Sequence, residues 1–125
     1  MKHWSHKLPD QRKIFRFPVF SDYKIVVISS NDYKKDLKRR FPNSNIDEYD
    51  HADAVTIHAK GETFIYIPHK VSLNIMVHES YHAVRRMLKY HDVVDDNEVI
   101  AYHLGYLVQE ISDWRWTFRV KRKKK

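Results

Sequence analysis

The chain has 125 residues, 42% of them hydrophobic and 14% aromatic, with a formal net charge of +7. That is enough apolar content for one domain with a modest core, and it excludes a wholly disordered chain. Two glycines and no cysteine exclude disulfides, thiolate zinc sites, cysteine nucleophiles and the Gly-rich phosphate loops of nucleotide-binding proteins.

No apolar run approaches the roughly 20 residues of a membrane span. The basic start, MKHWSHKLPDQRK, has no apolar stretch behind it and does not read as a secretory signal. A soluble, cytoplasmic protein with no membrane partner is expected. The charge is uneven: residues 119–125 (RVKRKKK) hold six basic and no acidic side chains, and residues 1–13 carry +3. Residues 14–118 hold 13 basic and 15 acidic residues, a balance of −2. The expectation is therefore a near-neutral domain over 1–118 and a disordered basic tail over 119–125. Such a tail is either a solvated solubility segment or a weak contact for polyanions such as nucleic acid.

In chain order, KIFRFPVF alternates apolar and basic residues, and Pro18 marks it as an edge or a strand end. YKIVVISS reads as a buried strand, with four consecutive apolar positions bounded by polar ones. NDYKKDLKRRFP predicts a short helix, capped near Asn31 or Asp32 and stopped by Pro42. NSNIDEYDH is a polar loop. Residues 54–67 form two β-rich runs around a Gly-containing turn, a hairpin ended by Pro68. From Ser72, a plausible N-cap, apolar residues recur at helical spacing (Leu73, Met76, Val77, Val84, Met87, Leu88) to about Tyr90. HDVVDD connects to a second long helix beginning near Asn97, with Asp95 and Asp96 suited to its start. The order β-β-α-β-β-α-α predicts an α+β domain with its helices against one sheet.

The first long helix carries MVHESYHAV, residues 76–84. Helical residues four apart differ by about 40° around the axis and ~6 Å along it, so His78 and His82 can offer two imidazoles to one ion. Glu79, beside the first of them, reaches a metal-activated water rather than the metal. With 9 histidines in the chain, random order yields only ~0.03 matches to this pattern. Apolar Met76, Val77, Ala83 and Val84 around it suit a buried active-site helix rather than a surface helix with incidental histidines. Zinc needs a third protein ligand and an open position. Glu98, in the first turn of the following helix, is the candidate. The motif helix runs about 12 Å past His82, and a connection of about seven residues can retrace that. Glu98 is otherwise an ordinary helix-start acid.

VHESYHAV followed by DNEVIAYHLGYLVQ resembles the gluzincin-type zinc metallopeptidases, and most of all their small single-domain, bacteriophage-encoded HExxH relatives. The likeness covers roughly residues 70–110. It implies a minimal zincin-like domain: a small, mostly antiparallel sheet packed against the HExxH helix and a following glutamate-bearing helix. It further implies one Zn2+ held by His78, His82 and Glu98, with Glu79 as the base, acting on a protein or peptide substrate in a bacterial or phage-infected host cell. The hairpin 54–67 would then supply the edge strand that binds extended peptide. In larger members an aspartate one turn after the glutamate ligand orients a zinc histidine. Here that position is Tyr102, so the surroundings of the ligands must differ. Tyr102 is a candidate for stabilising the transition state, as are Tyr81, His103 and Tyr106; His103 is also weighed as a fourth ligand. His51, His58, His69 and His91 have no partner at a ligand spacing and read as incidental.

The leading expectation is a zinc-dependent metallopeptidase or related hydrolase. A zincin-fold binding or structural protein, with bound zinc and no turnover, is the alternative. A third reading is a basic nucleic-acid-associated protein, for which DWRWTFRVKRKKK supplies aromatics beside basic residues.

Overall fold

The computed structural model describes residues 9–43, 53–94 and 96–123, with side chains described through Phe118. Most of the polar loop 43–51, including His51, lies outside the described residues, as do Asp95, Lys124 and Lys125. The elements are β1 (Gln11–Phe15), β2 (Lys24–Ser29), α1 (Tyr33–Arg40), β3 (Val55–Ala59), β4 (Glu62–Ile67), α2 (Leu73–Tyr90) and α3 (Asn97–Lys123). This is a mixed α+β fold, a four-stranded sheet with three helices, in the order expected. Helix α3 runs past the boundary placed at Phe118, so residues 119–123 of the expected disordered tail are helical in backbone.

The strand order is β1-β2-β4-β3. β1 pairs antiparallel with β2, β3 pairs antiparallel with β4, and the inner pair β2–β4 is parallel. The two outer pairings follow from local signals. Pro18 lies beyond the end of β1 and takes no part in the ladder. Gly61, at φ 74, closes the two-residue turn between Ala59 and Glu62, a backbone region that glycine enters without steric cost.

The inner strands are apolar on both faces because both faces are covered. Ile25, Val27, Ile65 and Ile67 pack with Met76, Ala83, Val84, Met87 and Leu88 of α2 and with Leu107 and Ile111 of α3. Val26, Ile28, Phe64 and Tyr66 pack on the opposite face with Tyr33 and Leu37 of α1. The sheet is thus enclosed between α1 and the α2–α3 pair, and α1 is a covering layer that the sequence did not assign to a face. Burial of each large side chain such as Met87 or Leu88 stabilises the fold by about 1.5–3 kcal/mol.

Caps fix where the helices begin and end. Ser72 accepts from the Ile75 amide at 3.2 Å, as its position before the apolar run predicts. Asp96 does the same for α3, accepting from Val99 N at 2.8 Å. Asp32 is the N-cap residue of α1 but makes no side-chain cap bond; Asn31 instead receives the His69 amide at 3.1 Å. At the far end of α2 the Val93 amide reaches Leu88 O at 2.9 Å and the Asp92 amide reaches Lys89 O at 3.0 Å. This is a Schellman turn, with Asp92 at φ 56 in the place glycine usually takes.

Candidate metal centre

Helix α2 presents three different strips. Ser80 and Ala83, both small and fully buried, face the core and let the helix sit close to the sheet. His78 and His82 face outward, one turn apart. Glu79 lies between these strips and turns toward β3. The motif is therefore not uniformly buried, as its apolar neighbours suggest: 67% of the His78 side chain is accessible against 11% for Glu79.

The two imidazoles converge. His78 Nε2 and His82 Nε2 are 3.2 Å apart, with ring centroids at 4.7 Å. Two nitrogens bound tetrahedrally to one zinc at 2.0–2.1 Å are separated by about 3.3 Å, so the pair already has the spacing of one edge of such a site. Without metal the same distance is a hydrogen bond between one protonated and one bare Nε2.

Glu79 is held from the sheet. Thr56 Oγ1 on β3 donates to Glu79 Oε1 at 2.6 Å and lies 3.3 Å from the Glu79 carbonyl oxygen. The other carboxylate oxygen, Oε2, stands 3.7 Å from His78 Nε2. One oxygen is thus fixed by a neutral donor while its twin faces the histidine pair. That is the arrangement a general base beside an activated water requires.

Other sequence candidates are placed elsewhere. Glu98 is exposed in the first turn of α3, where Asp96 already supplies the cap. Among the described residues no group of three His, Asp or Glu side chains converges to hold a metal; the histidine pair has the spacing of two ligands, and Glu98 does not join it as a third. Tyr102 is 73% exposed, and its ring meets His103 edge-on at 5.3 Å. His103 donates from Nδ1 to Val99 O at 2.8 Å and packs on Phe17 and Phe20. Tyr106 packs on Phe17. Only Tyr81 touches the pair, with its ring 6.1 Å from that of His82 and its hydroxyl accepting from Arg85 at 3.1 Å. His69 and His91 are structural. His69 bonds Ser29 at 2.8 Å and packs on Phe118. His91 closes α2 and bonds Asp22 at 2.7 Å.

Two residues that the sequence reading left aside belong beside the pair. Thr56 is one. His58 is the other, and it borders a cleft of about 470 Å³ together with His82, Arg85, Arg86, Lys89 and Asp92. Its Nδ1 lies 3.0 Å from Thr63 Oγ1, which in turn is 2.5 Å from Tyr23 Oη. Partial burial, and then the charges of Arg86 and His82, hold the His58 pKa below the ordinary imidazole value. A period-2 signal was available: Val55, Ile57 and Ala59 pack toward α1, which turns Thr56 and His58 to the α2 face. Among the described residues no helix is long and apolar enough to cross a membrane. No family model, curated protein or solved structure matches this chain in comparisons with each.

Proposed function

We propose that this protein is a zinc-dependent hydrolase of the gluzincin type that cleaves peptide bonds. The observation that carries the reading is the joint placement of three groups. The His78 and His82 Nε2 atoms are 3.2 Å apart, and Glu79, held by Thr56, turns Oε2 toward them. His78 and His82 would hold the ion, and Glu98, the third donor that the sequence suggests, does not converge with them among the described residues. Bound zinc supplies a Lewis acid and brings the pKa of water toward neutrality. Glu79 Oε2 takes the proton of the attacking water and delivers it to the leaving amine. Thr56 acts through Glu79 and is a positioning residue, keeping Oε1 from swinging away. β3, at the edge of the sheet among the described strands, offers its main chain to an extended peptide beside the histidines.

The test is metal content followed by turnover. Purified protein should carry about one zinc per chain, lost in His78→Ala/His82→Ala, reduced in Glu98→Ala and kept in Glu79→Gln, whose carboxylate does not ligate. Glu79→Gln should abolish peptide hydrolysis. Full zinc retention in the double histidine variant would discard the site, and zinc-loaded protein inert toward a broad peptide library would leave a zinc-binding structural protein in its place.

A further inference from the structure

The cleft beside His82 has a chemical character that the catalytic groups do not use. Arg86 and Lys89 follow His82 at the fourth and seventh positions along α2, so the three side chains share one strip of the helix. Both are exposed, and among the described residues neither is paired with a carboxylate in the structure's ion pairs. Arg85, which donates to the Tyr81 hydroxyl, also borders the cleft. Among the described lining residues Asp92 is the one carboxylate, and Leu88 and Val93 add apolar surface. Across from the helix, His58 of β3 closes the other side of the cleft.

We infer that this cleft is a carboxylate subsite, in which Arg86 and Lys89 hold an acidic side chain or the C-terminal carboxylate of a peptide bound across the histidine pair. The inference rests on the peptidase reading for the identity of the ligand as a peptide. The geometry sets the distance. Arg86 and Lys89 lie about 6 and 10.5 Å along the helix axis from His82, and extended peptide advances about 3.3 Å per residue. The recognised carboxylate therefore sits about two to three residues from the bond presented to His78 and His82. A nucleic acid is the less suitable anion. Apart from the imidazoles of His58 and His82, the described lining holds no aromatic ring on which a base can stack, whereas single-strand binders usually offer a platform of aromatic side chains. The volume is that of a small-ligand pocket, not a phosphate-backbone channel.

The experiment is equilibrium binding by fluorescence anisotropy with full-length Glu79→Gln protein and one equivalent of zinc, so that nothing is cleaved. Three labelled peptides share one core: neutral and amidated, acidic at one internal position and amidated, or neutral with a free C-terminal carboxylate. At least one carboxylate peptide should bind about tenfold tighter than the neutral amide, the scale of one charge-assisted contact. The preferred peptide identifies the source of the carboxylate. Added Arg86→Ala or Lys89→Ala should remove most of the preference, Arg86→Lys should restore part of it, and Asp92→Asn should tighten carboxylate binding. The preference should shrink as salt rises from about 0.05 M to about 0.5 M. Equal affinity for all three peptides, or a preference untouched by both alanine variants, overturns the subsite. Wild-type hydrolysis of the same peptides is scored separately: a carboxylate preference without cleavage would sink the catalytic reading and leave the subsite standing.

Discussion

Replacing Thr56 by valine removes one hydroxyl at nearly constant volume, and it isolates the contact on which the catalytic reading depends. In the native protein that hydroxyl donates to Glu79 Oε1 at 2.6 Å, and the carboxylate it serves is 11% exposed. A hydrogen bond to a charged group contributes about 1.5–3 kcal/mol, and the valine methyl would leave the oxygen facing an apolar group. With unfolding entropy of about 2.1 cal/mol/K per residue, a loss of about 2 kcal/mol lowers the melting temperature by roughly 8 °C. Urea denaturation of Thr56→Val, Glu79→Gln and the double variant forms a cycle. The valine change should cost about 1 kcal/mol less in the glutamine background, where the bond is between neutral groups. Thr56→Ser, which keeps the donor, should recover most of the loss.

The same variant separates positioning from folding. If Oε1 is freed, Oε2 is no longer held toward His78. Peptide hydrolysis should then fall by about 10- to 100-fold, mainly in kcat, the usual cost of removing a partner one step out from a metal site. Zinc content should be unchanged. Thr56→Val protein that unfolds at the wild-type midpoint, or that loses stability without recovery in Thr56→Ser, would refute the contact as drawn.

Three further outcomes follow from other contacts. His91 donates from both ring nitrogens, to Met87 O and to Asp22; burial pulls its pKa down, but these bonds together raise it above 6.5. Its contribution is then full below that ordinary value and lost as pH rises through the raised one. Urea midpoints should decline from about pH 6 to pH 8, less so in His91→Gln; Asp22, whose pKa is lowered chiefly by its bond to His91, adds a loss only in acid. Asp92→Gly should raise stability by about 1 kcal/mol, because φ 56 suits glycine at a helix stop, and a destabilised glycine variant would contradict that turn. Truncation after Phe118 removes six positive charges and should lower affinity for a polyanion such as heparin while flattening its salt dependence. Zinc content should stay the same, and loss of zinc would tie the end of α3 to the site.

Most of the fold was legible because most of it is written locally. The Ser72 cap, the Gly61 turn and the apolar period of α2 each act within a few residues, and each is found where the chain predicts it. The same locality made His78 and His82 visible: four residues on one helix reach one point in space without help from the rest of the protein. Thr56 was not visible, because its bond to Glu79 spans 23 residues and exists only after β3 has docked beside α2. The face taken by α1 was hidden for a related reason. The continuous apolar runs of β2 and β4 announce a strand buried on both sides but do not say which helix covers which face. Glu98 shows the converse limit, since reach along the chain made it a candidate while the fold leaves it exposed at the start of α3. An HExxH pattern on a surface helix offers two imidazoles and a carboxylate free to turn anywhere. In this chain a strand constrains the pattern: β3 supplies the donor that bonds Glu79 and, two residues on, the histidine that borders the cleft beside His82. The strand's period of two sets Thr56 and His58 on the same side as the histidine pair. That shared side is the physical reason to treat hairpin and helix as a single site.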